Sequence, residues 1–355
     1  MPVSVVMDTT NRECPHDCWY CYIAQYSPNR PLFTEGAELP LERTCAVVSE
    51  MASAGVRGIE FCGAREPLSY PHILPLIRHV VDSGLELGLI TNGTCLTDEL
   101  AELLATRASW VRVSIDSLKA NTYNRIRRPR GSKHSLEEVG NSIRRLGEVK
   151  IRSGSSTVLG LSTVVEPRNV SELFQLARFG KERGFSFHRF CTVTHPKSQA
   201  LFRRVDWTAV TRQLERARRA LVDDRYSIME PIAPAPSGPT SLPRCYRACY
   251  FSLLTVVVDA ELQVYPCAET KWRPEFLLGD LKSDSFRAVM QASRRLSLAR
   301  EVDHCPPCCR QAANEALEKA LLSQPDITPL AGPASSYGDS VFLCRYTSTD
   351  TARRR

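Results

Sequence analysis

The chain has 355 residues, of which 43% are hydrophobic and 24% charged, as is typical of a folded globular protein with one or two domains. No apolar run is long enough to cross a bilayer, and the N-terminus does not read as a signal peptide, so we expect no membrane contact and a cytoplasmic location. The net charge is +7. The basic stretch at residues 125–130 lacks interleaved aromatic residues, which favours a solvated face and no nucleic-acid partner.

Strands and helices alternate through the first 195 residues. The predicted strands lie at residues 3–8, 58–62, 87–90, 110–115, 158–165 and 185–190. The predicted helices lie at residues 40–53, 73–83, 97–106, 135–147 and 170–184. Strands separated by helices of this length predict βαβ units and a parallel sheet, so the fold class is α/β.

A change in composition near residue 230 predicts the domain organisation. Residues 230–243 are rich in proline and are predicted to form a linker or a lid loop rather than regular structure. A helix at about residues 207–223 precedes this stretch, and another at 311–322 follows it. We therefore predict a first domain at 1–230 with a bridging helix, a small second domain at 231–325 and a tail at 326–355.

The N-terminal loop carries three closely spaced thiols, Cys14, Cys18 and Cys21. Three thiolates on one loop can hold three corners of an iron–sulfur cube and leave the fourth iron open to an outside ligand. A zinc site or a disulfide pair is the alternative. Zinc sites usually use Cys-x2-Cys pairs and four ligands, and the 14 cysteines of a chain without an export signal indicate reduced thiols.

The Cys-x3-Cys-x2-Cys spacing after a strand resembles the cluster loop of the radical S-adenosylmethionine (radical SAM) enzymes. The resemblance implies a partial (β/α)6 barrel and a [4Fe–4S] cluster whose open iron binds SAM. It also implies cleavage of SAM to a 5′-deoxyadenosyl radical and a reducing partner such as flavodoxin or ferredoxin. SAM contacts are then expected at the strand ends. The residues that match the positions of such contacts are Tyr20, Gly63, Glu66, Asn92, Ser114, Asp116 and Asn169.

A second group of cysteines follows residue 244. Residues 255–267 read as a β-hairpin ending in Tyr-Pro-Cys, and a Cys-Pro-Pro-Cys pair follows. This arrangement resembles the auxiliary-cluster domain called SPASM in its long form and twitch in its short form. The resemblance implies a second [4Fe–4S] cluster, and a zinc ribbon or a buried apolar tract of thiols is the alternative. The predicted ligands are Cys245, Cys267, Cys305 and Cys308.

One thiol of this second group, that of Cys249, is not among the four predicted ligands and suggests a reaction. We predict that Cys249 is a catalytic hydrogen-atom donor, although the spacing also permits Cys249 as the fourth ligand in place of Cys245. The short auxiliary domain and the spare thiol resemble the radical SAM enzymes that tailor aminoglycosides, in particular epimerases of the neomycin type. The function implied is inversion of one sugar carbon of an aminoglycoside. Other cysteines at strand ends, namely Cys62, Cys95 and Cys191, are predicted to be barrel packing.

Other functions remain open at this point. A twitch-type dehydrogenase that oxidises an aminocyclitol alcohol is the first alternative, and a peptide-modifying enzyme is the second. The chain begins at the first strand without a leader-binding segment, which favours a small-molecule substrate. A polycationic substrate would need carboxylates at the barrel mouth, for which Glu66, Asp116 and Glu230 are candidates. An iron–sulfur regulator that binds SAM without turnover is a non-enzymatic possibility.

Overall fold

The computed structural model of the protein describes residues 1–21, 23, 27–192, 203–229, 246–300 and 311–323. Its centre is one ten-stranded sheet with the strand order β10-β9-β8-β1-β2-β3-β4-β5-β6-β7. The strands are β1 (Ser4–Met7), β2 (Gly58–Phe61), β3 (Glu86–Thr91), β4 (Trp110–Ser114), β5 (Val158–Val164), β6 (Phe187–Cys191), β7 (Ser227–Met229), β8 (Thr255–Val258), β9 (Gln263–Tyr265) and β10 (Gly279–Asp280).

Helices connect successive parallel strands, as the sequence pattern predicts. The helices are α1 (Leu41–Ser53), α2 (Ile73–Asp82), α3 (Asp98–Arg107), α4 (Ala120–Arg127), α5 (Leu136–Ser153), α6 (Leu173–Lys181), α7 (Trp207–Leu221), α8 (Phe251–Leu254), α9 (Phe286–Gln291), α10 (Ser293–Arg300) and α11 (Gln311–Ser323). Strands β1 to β7 pair in parallel, so the predicted α/β fold with a parallel sheet is confirmed.

The helix ends have local causes. The Thr97 hydroxyl accepts a hydrogen bond from Leu100 N at 3.2 Å and so caps α3. Gly84 and Gly184 follow α2 and α6 with φ of +76° and +75°, a left-handed conformation that glycine adopts without steric cost. Alternate residues of each strand face the helices, where Val5, Leu89 and similar side chains form the apolar core.

Two helical regions of the first 195 residues differ from the sequence prediction. Helix α4 is not predicted, because three of its eight residues are asparagine or threonine and two are arginine. The predicted helix at 170–184 is a 3-10 turn, Val170–Glu172, followed by the shorter helix α6.

The predicted hairpin is confirmed and is part of the main sheet. Strands β8 and β9 pair antiparallel, as expected for residues 255–267. Strand β8 also pairs in parallel with β1, with Met7 opposite Val258. The predicted linker at 230–243 and the predicted tail at 326–355 lie outside the described residues, so the domain division stays a prediction. Among the described residues, no helix combines the length and apolar character needed to cross a membrane.

Candidate active site at the cysteine loop

The three cysteines of the N-terminal loop face one cavity. Cys14, Cys18 and Cys21 line a cavity of about 180 Å³ at the carboxyl ends of β2, β3 and β4. Ligand sites of parallel α/β folds lie at these strand ends, because the loops that carry functional side chains converge there. Four other residues predicted to bind the cofactor also line the cavity: Gly63, Glu66, Asn92 and Ser114.

Main-chain hydrogen bonds hold the cysteine loop against the end of α4. Asp17 N donates to Arg128 O at 3.1 Å, and Trp19 N donates to Ile126 O at 3.2 Å. These two bonds lie on either side of Cys18. They therefore hold the loop around Cys18 against the end of α4.

The chemistry of the loop fits an iron–sulfur cluster better than a single metal ion. Burial raises the pKa of Cys14 and that of Cys18 to about 12, so these thiols keep their protons until a metal displaces them. Within the part of the chain that the structure describes, no three His, Cys, Asp or Glu side chains surround one metal position. In a cube each thiolate binds its own iron, so its ligands stand farther apart than those of one ion.

Glu66 joins the turns after β2 and β3 by hydrogen bonds. Its buried carboxylate accepts hydrogen bonds from Leu68 N at 3.1 Å, Thr91 Oγ1 at 2.5 Å and Asn92 N at 2.7 Å. Burial nevertheless raises the pKa of this carboxyl to about 6. Both oxygens are engaged by the protein, so Glu66 positions the turns after β2 and β3 around the cavity.

The turn after β2, residues 63–67, begins at a glycine that has no room for a side chain. A Cβ on Gly63 would lie 2.6 Å from Asp8 Oδ1 and 2.8 Å from Asp8 Cα, so only glycine fits there. The side chain of Arg65 forms an ion pair with Glu35 at 3.1 Å. This turn brings both Gly63 and Glu66 to the cavity.

A buried ion pair lies behind the cysteine loop. The Asp116 carboxylate is 2.5 Å from Arg127 Nε and accepts a hydrogen bond from Tyr20 Oη at 2.5 Å. Its other oxygen accepts from Val164 N at 2.8 Å. Tyr20 and Asp116, both predicted SAM contacts, are thus bonded to each other, while Arg127 itself lines the cavity.

Arg127 was missed by the sequence reasoning, which treated residues 125–130 as a solvated face. That expectation is wrong for Arg127, which is only 4% exposed, whereas Arg125 and Arg128 are exposed. The signal that could have found it is the spacing of Tyr123 and Ile126, which are fully buried and mark the inner face of a helix.

The two amide side chains of the site form hydrogen bonds with the protein itself. Asn169 is fully buried and its Nδ2 donates to Asp116 O at 2.9 Å and to Val164 O at 2.8 Å. Asn92 Nδ2 lies 3.6 Å from Cys14 Sγ and donates to it. Asn92 therefore reaches the cysteine loop, while Asn169 holds the ends of β4 and β5 together beneath it.

Only two of the second group of cysteines fall in the described residues. Cys245, Cys305 and Cys308 lie outside them, and so does Glu230. Cys249 Sγ accepts a hydrogen bond from Asn314 Nδ2 at 3.5 Å, and Cys249 does not line the cavity of the N-terminal loop. Cys267 Sγ lies 3.6 Å from Thr270 Oγ1, at the end of the predicted hairpin.

A second buried ion pair joins the hairpin region to β1, and the sequence reasoning did not anticipate it. Lys271 Nζ contacts the Asp8 carboxylate, with the two side chains 3% and 0% exposed. Asp8 follows β1 directly, at the edge of the sheet where the cysteine loop begins. The pair therefore holds the turn after Cys267 at the same edge of the sheet as the candidate active site.

Comparison with known proteins agrees with this site. Residues 9–179 match the sequence model of the Radical SAM superfamily, so this part of the chain is a radical SAM domain. Over 182 residues the chain is 29% identical to the AdoMet-dependent heme synthase of Methanosarcina barkeri, a match that covers 51% of this chain and 48% of the relative. Over 129 residues it is 33% identical to the PqqA peptide cyclase of Rhodopseudomonas palustris, covering 36% of this chain and 32% of the relative.

Solved structures support the same fold over more of the chain. The Streptococcus suis SuiB structure with bound S-adenosylmethionine matches with a TM-score of 0.62 and 12% identity, covering 84% of this chain and 68% of that one. The structure of anSMEcpe with bound AdoMet matches with a TM-score of 0.60 and 17% identity, covering 84% and 83%. The chain spans half or less of the length of the two curated relatives.

Proposed function

We propose that the chain is a radical SAM epimerase that inverts one carbon of a polar small molecule, with an aminoglycoside as the substrate class. The observation that carries the radical SAM chemistry is the convergence of Cys14, Cys18 and Cys21 with the Glu66 turn on one cavity. When bound, the cluster and SAM supply a 5′-deoxyadenosyl radical that removes a hydrogen atom from a substrate carbon. The residues of the chain bind, orient and protect these partners.

Cys14, Cys18 and Cys21 would hold a [4Fe–4S] cluster, whose fourth iron would be open to the methionine part of SAM. Arg127 supplies a cationic group at the cavity wall, and its pairing with Asp116 holds that group in place. Burial of Asp116 and Arg127 keeps water away from the ion pair, which strengthens their interaction. An anionic group of SAM that approaches this wall gains a charge-assisted hydrogen bond.

Inversion requires that a hydrogen atom return to the opposite face of the substrate carbon. A thiol is a suitable donor, and Cys249 is the donor that the sequence predicts. The donor loses a hydrogen atom and becomes a thiyl radical, so one electron and one proton must restore it. A low-potential one-electron protein of the flavodoxin or ferredoxin class supplies that electron as well as the one consumed in SAM cleavage.

A second [4Fe–4S] cluster completes the proposed cofactor set. Its ligands are Cys245, Cys267, Cys305 and Cys308, with Cys249 as the alternative to Cys245. The Asp8–Lys271 pair supports this cluster's position, because it holds the turn after Cys267 at the carboxyl end of β1. A cluster held by these cysteines would supply one-electron redox chemistry at that edge of the sheet.

The charges at the strand ends bear on the substrate. Glu66 and Asp116 are not available to a cationic substrate, since protein donors occupy their oxygens. Asp259 follows β8 and is 1% exposed, and its Oδ2 has no hydrogen-bond partner among the described residues. Asp259 is therefore our candidate for binding a substrate ammonium group, in place of Glu66 and Asp116.

Two other reactions have specific support. The predicted second cluster favours a dehydrogenase, in which the substrate radical gives up an electron and a carbonyl forms. The peptide cyclase among the relatives, and the SuiB structure bound to its precursor peptide, favour a peptide-modifying enzyme. These alternatives predict different products from the same abstraction step.

Turnover in D2O separates the three reactions. The reconstituted protein is incubated anaerobically with SAM, dithionite and a panel of aminoglycosides and aminocyclitols, and products are analysed by mass spectrometry and NMR. An epimerase gives a product with one carbon inverted and one deuterium on that carbon. A product two hydrogens lighter supports the dehydrogenase. Unchanged panel members, together with turnover in a parallel incubation with peptides, support peptide modification. Absence of 5′-deoxyadenosine under every reductant would leave only the non-catalytic regulator.

A further inference from the structure

A fourth cysteine lies in the cavity of the cluster loop. Cys62 follows β2 directly and lines the same cavity as Cys14, Cys18 and Cys21. Among the described residues it is the only cysteine of this cavity outside the predicted cluster ligands. This location differs from the prediction that Cys62 only packs in the interior of the barrel.

The Cys62 thiol differs from the other spare thiols in its contacts. Cys191 Sγ donates to Thr163 O at 3.5 Å, and Cys249 Sγ accepts from Asn314 Nδ2 at 3.5 Å. Cys95 Sγ lies 3.6 Å from Thr94 Oγ1. No hydrogen bond joins the Cys62 thiol to another described residue, so it is free to meet a ligand in the cavity.

Two buried charged residues, Glu60 and Arg112, lie close to Cys62. Glu60 and Cys62 lie on one face of β2, and Arg112 and Ser114 lie on one face of β4, because alternate residues of a strand share a face. Arg112 is 6% exposed, and its buried Nε has no hydrogen-bond partner among the described residues. A buried donor without a partner is costly unless a ligand supplies the acceptor. The positive charge of Arg112 lowers the pKa of the Cys62 thiol, but by less than burial raises it.

The thiol also has the protonation state that hydrogen-atom transfer needs. Burial raises the pKa of Cys62 to about 12, so at neutral pH the sulfur carries its hydrogen. A thiolate at this position could transfer an electron but has no hydrogen atom to give.

We propose that Cys62, rather than Cys249, is the hydrogen-atom donor, an inference that rests on the proposed function. The S–H bond of Cys62 breaks homolytically, a C–H bond forms on the substrate radical, and a thiyl radical remains on Sγ. One electron from the flavodoxin- or ferredoxin-class reductant and one proton from solvent restore the thiol. Each turnover thus consumes one SAM and two electrons. Cys249 is then free to be the fourth ligand of the second cluster.

The first test needs no substrate. In D2O the S–H hydrogen exchanges for deuterium, and a thiol in the cavity can pass it to the 5′-carbon during uncoupled SAM cleavage by dithionite. We expect the wild-type protein to give monodeuterated 5′-deoxyadenosine. The deuterium fraction of whatever 5′-deoxyadenosine forms should fall several-fold in Cys62→Ala and Cys62→Ser, and should not change in Cys95→Ala or Cys191→Ala. An unchanged fraction in the Cys62 variants would overturn the inference.

The second test uses the wild-type chain and no turnover. The reconstituted protein is alkylated with N-ethylmaleimide in the presence or absence of S-adenosylhomocysteine, and modified cysteines are quantified by peptide mass spectrometry. We expect S-adenosylhomocysteine to slow alkylation of Cys62 several-fold and to leave Cys45, in helix α1, unaffected. Measurable alkylation of Cys62 at the same rate in both samples would place it outside the cofactor cavity and contradict the inference. If no 5′-deoxyadenosine forms in wild-type protein, the proposed function itself fails, independently of this result.

Discussion

Arg127 and Asp116 form an ion pair of 2.5 Å between helix α4 and the segment after β4, with both side chains almost completely buried. Asp116 also accepts the Tyr20 hydroxyl, so one carboxylate connects the cysteine loop, the sheet and α4. Removing one partner of such a pair leaves an uncompensated buried charge, which costs more than the pair contributes.

Replacing Arg127 with Met should therefore destabilise the fold strongly. We expect a loss of about 3–5 kcal/mol in the free energy of unfolding, as is usual when one member of a buried pair is removed. Chemical denaturation followed by circular dichroism measures it. The control is Arg128→Met, since Arg128 is exposed and its loss should change stability by less than about 0.5 kcal/mol. Equal stability of the two variants would show that the pair is not formed in solution.

The glycine at the cavity offers a second test of the geometry. Gly63→Ala puts a Cβ 2.8 Å from the Asp8 Cα, and because a backbone atom cannot move aside easily, we expect destabilisation of about 1–3 kcal/mol. Gly140→Ala is the matched control. Gly140 lies inside α5 with nothing within 4 Å of a new Cβ, so alanine should stabilise that helix by about 0.5–1 kcal/mol. Stabilisation by both substitutions would show that Gly63 does not pack against Asp8.

His188 should make stability depend on pH. The side chain of His188 is fully buried, and its Nε2 lies 2.8 Å from Thr163 Oγ1. Burial lowers the pKa of His188 to about 3. Between pH 3 and about 6.5 the unfolded chain therefore binds more protons at His188 than the folded chain does. The contribution of neutral His188 to the free energy of unfolding is complete above this range and is lost as the pH falls through it. Going from pH 7 to pH 5 should cost about 2 kcal/mol through this residue.

The variant His188→Gln should show a smaller loss of stability between pH 7 and pH 5 than the wild type. Denaturant titrations at the two pH values measure the difference, and His72→Gln, at an exposed position, should behave like the wild type. If His188→Gln keeps the full pH dependence, the dependence belongs to other groups.

The parts of the fold that could be predicted from sequence depend on local pattern. The strand–helix alternation and the hairpin before Cys267 follow from periodicity and turn residues within short windows, and the structure confirms them. The spacing of Cys14, Cys18 and Cys21 also lies within one loop. These features need no knowledge of which distant residues meet.

The parts that could not be predicted depend on distant partners. Lys271 and Asp8 are 263 positions apart, and nothing near either residue indicates the other. Cys62 resembled a packing residue because its side chain is small and follows a buried strand. Only the fold shows that it faces the cysteine loop. Likewise Glu66 was expected to contact SAM, whereas its partners Thr91 and Asn92 come from the next strand end.

The most direct test of the central claim is reconstitution with iron and sulfide followed by SAM cleavage under dithionite, comparing the wild type with Cys18→Ser and Cys45→Ser. We predict about four irons per chain, or about eight if the second cluster forms, and formation of 5′-deoxyadenosine in the wild type and in Cys45→Ser. Cys18→Ser should lose the irons of one cluster and all SAM cleavage. Wild-type protein without iron, or undiminished SAM cleavage by Cys18→Ser, would contradict the account.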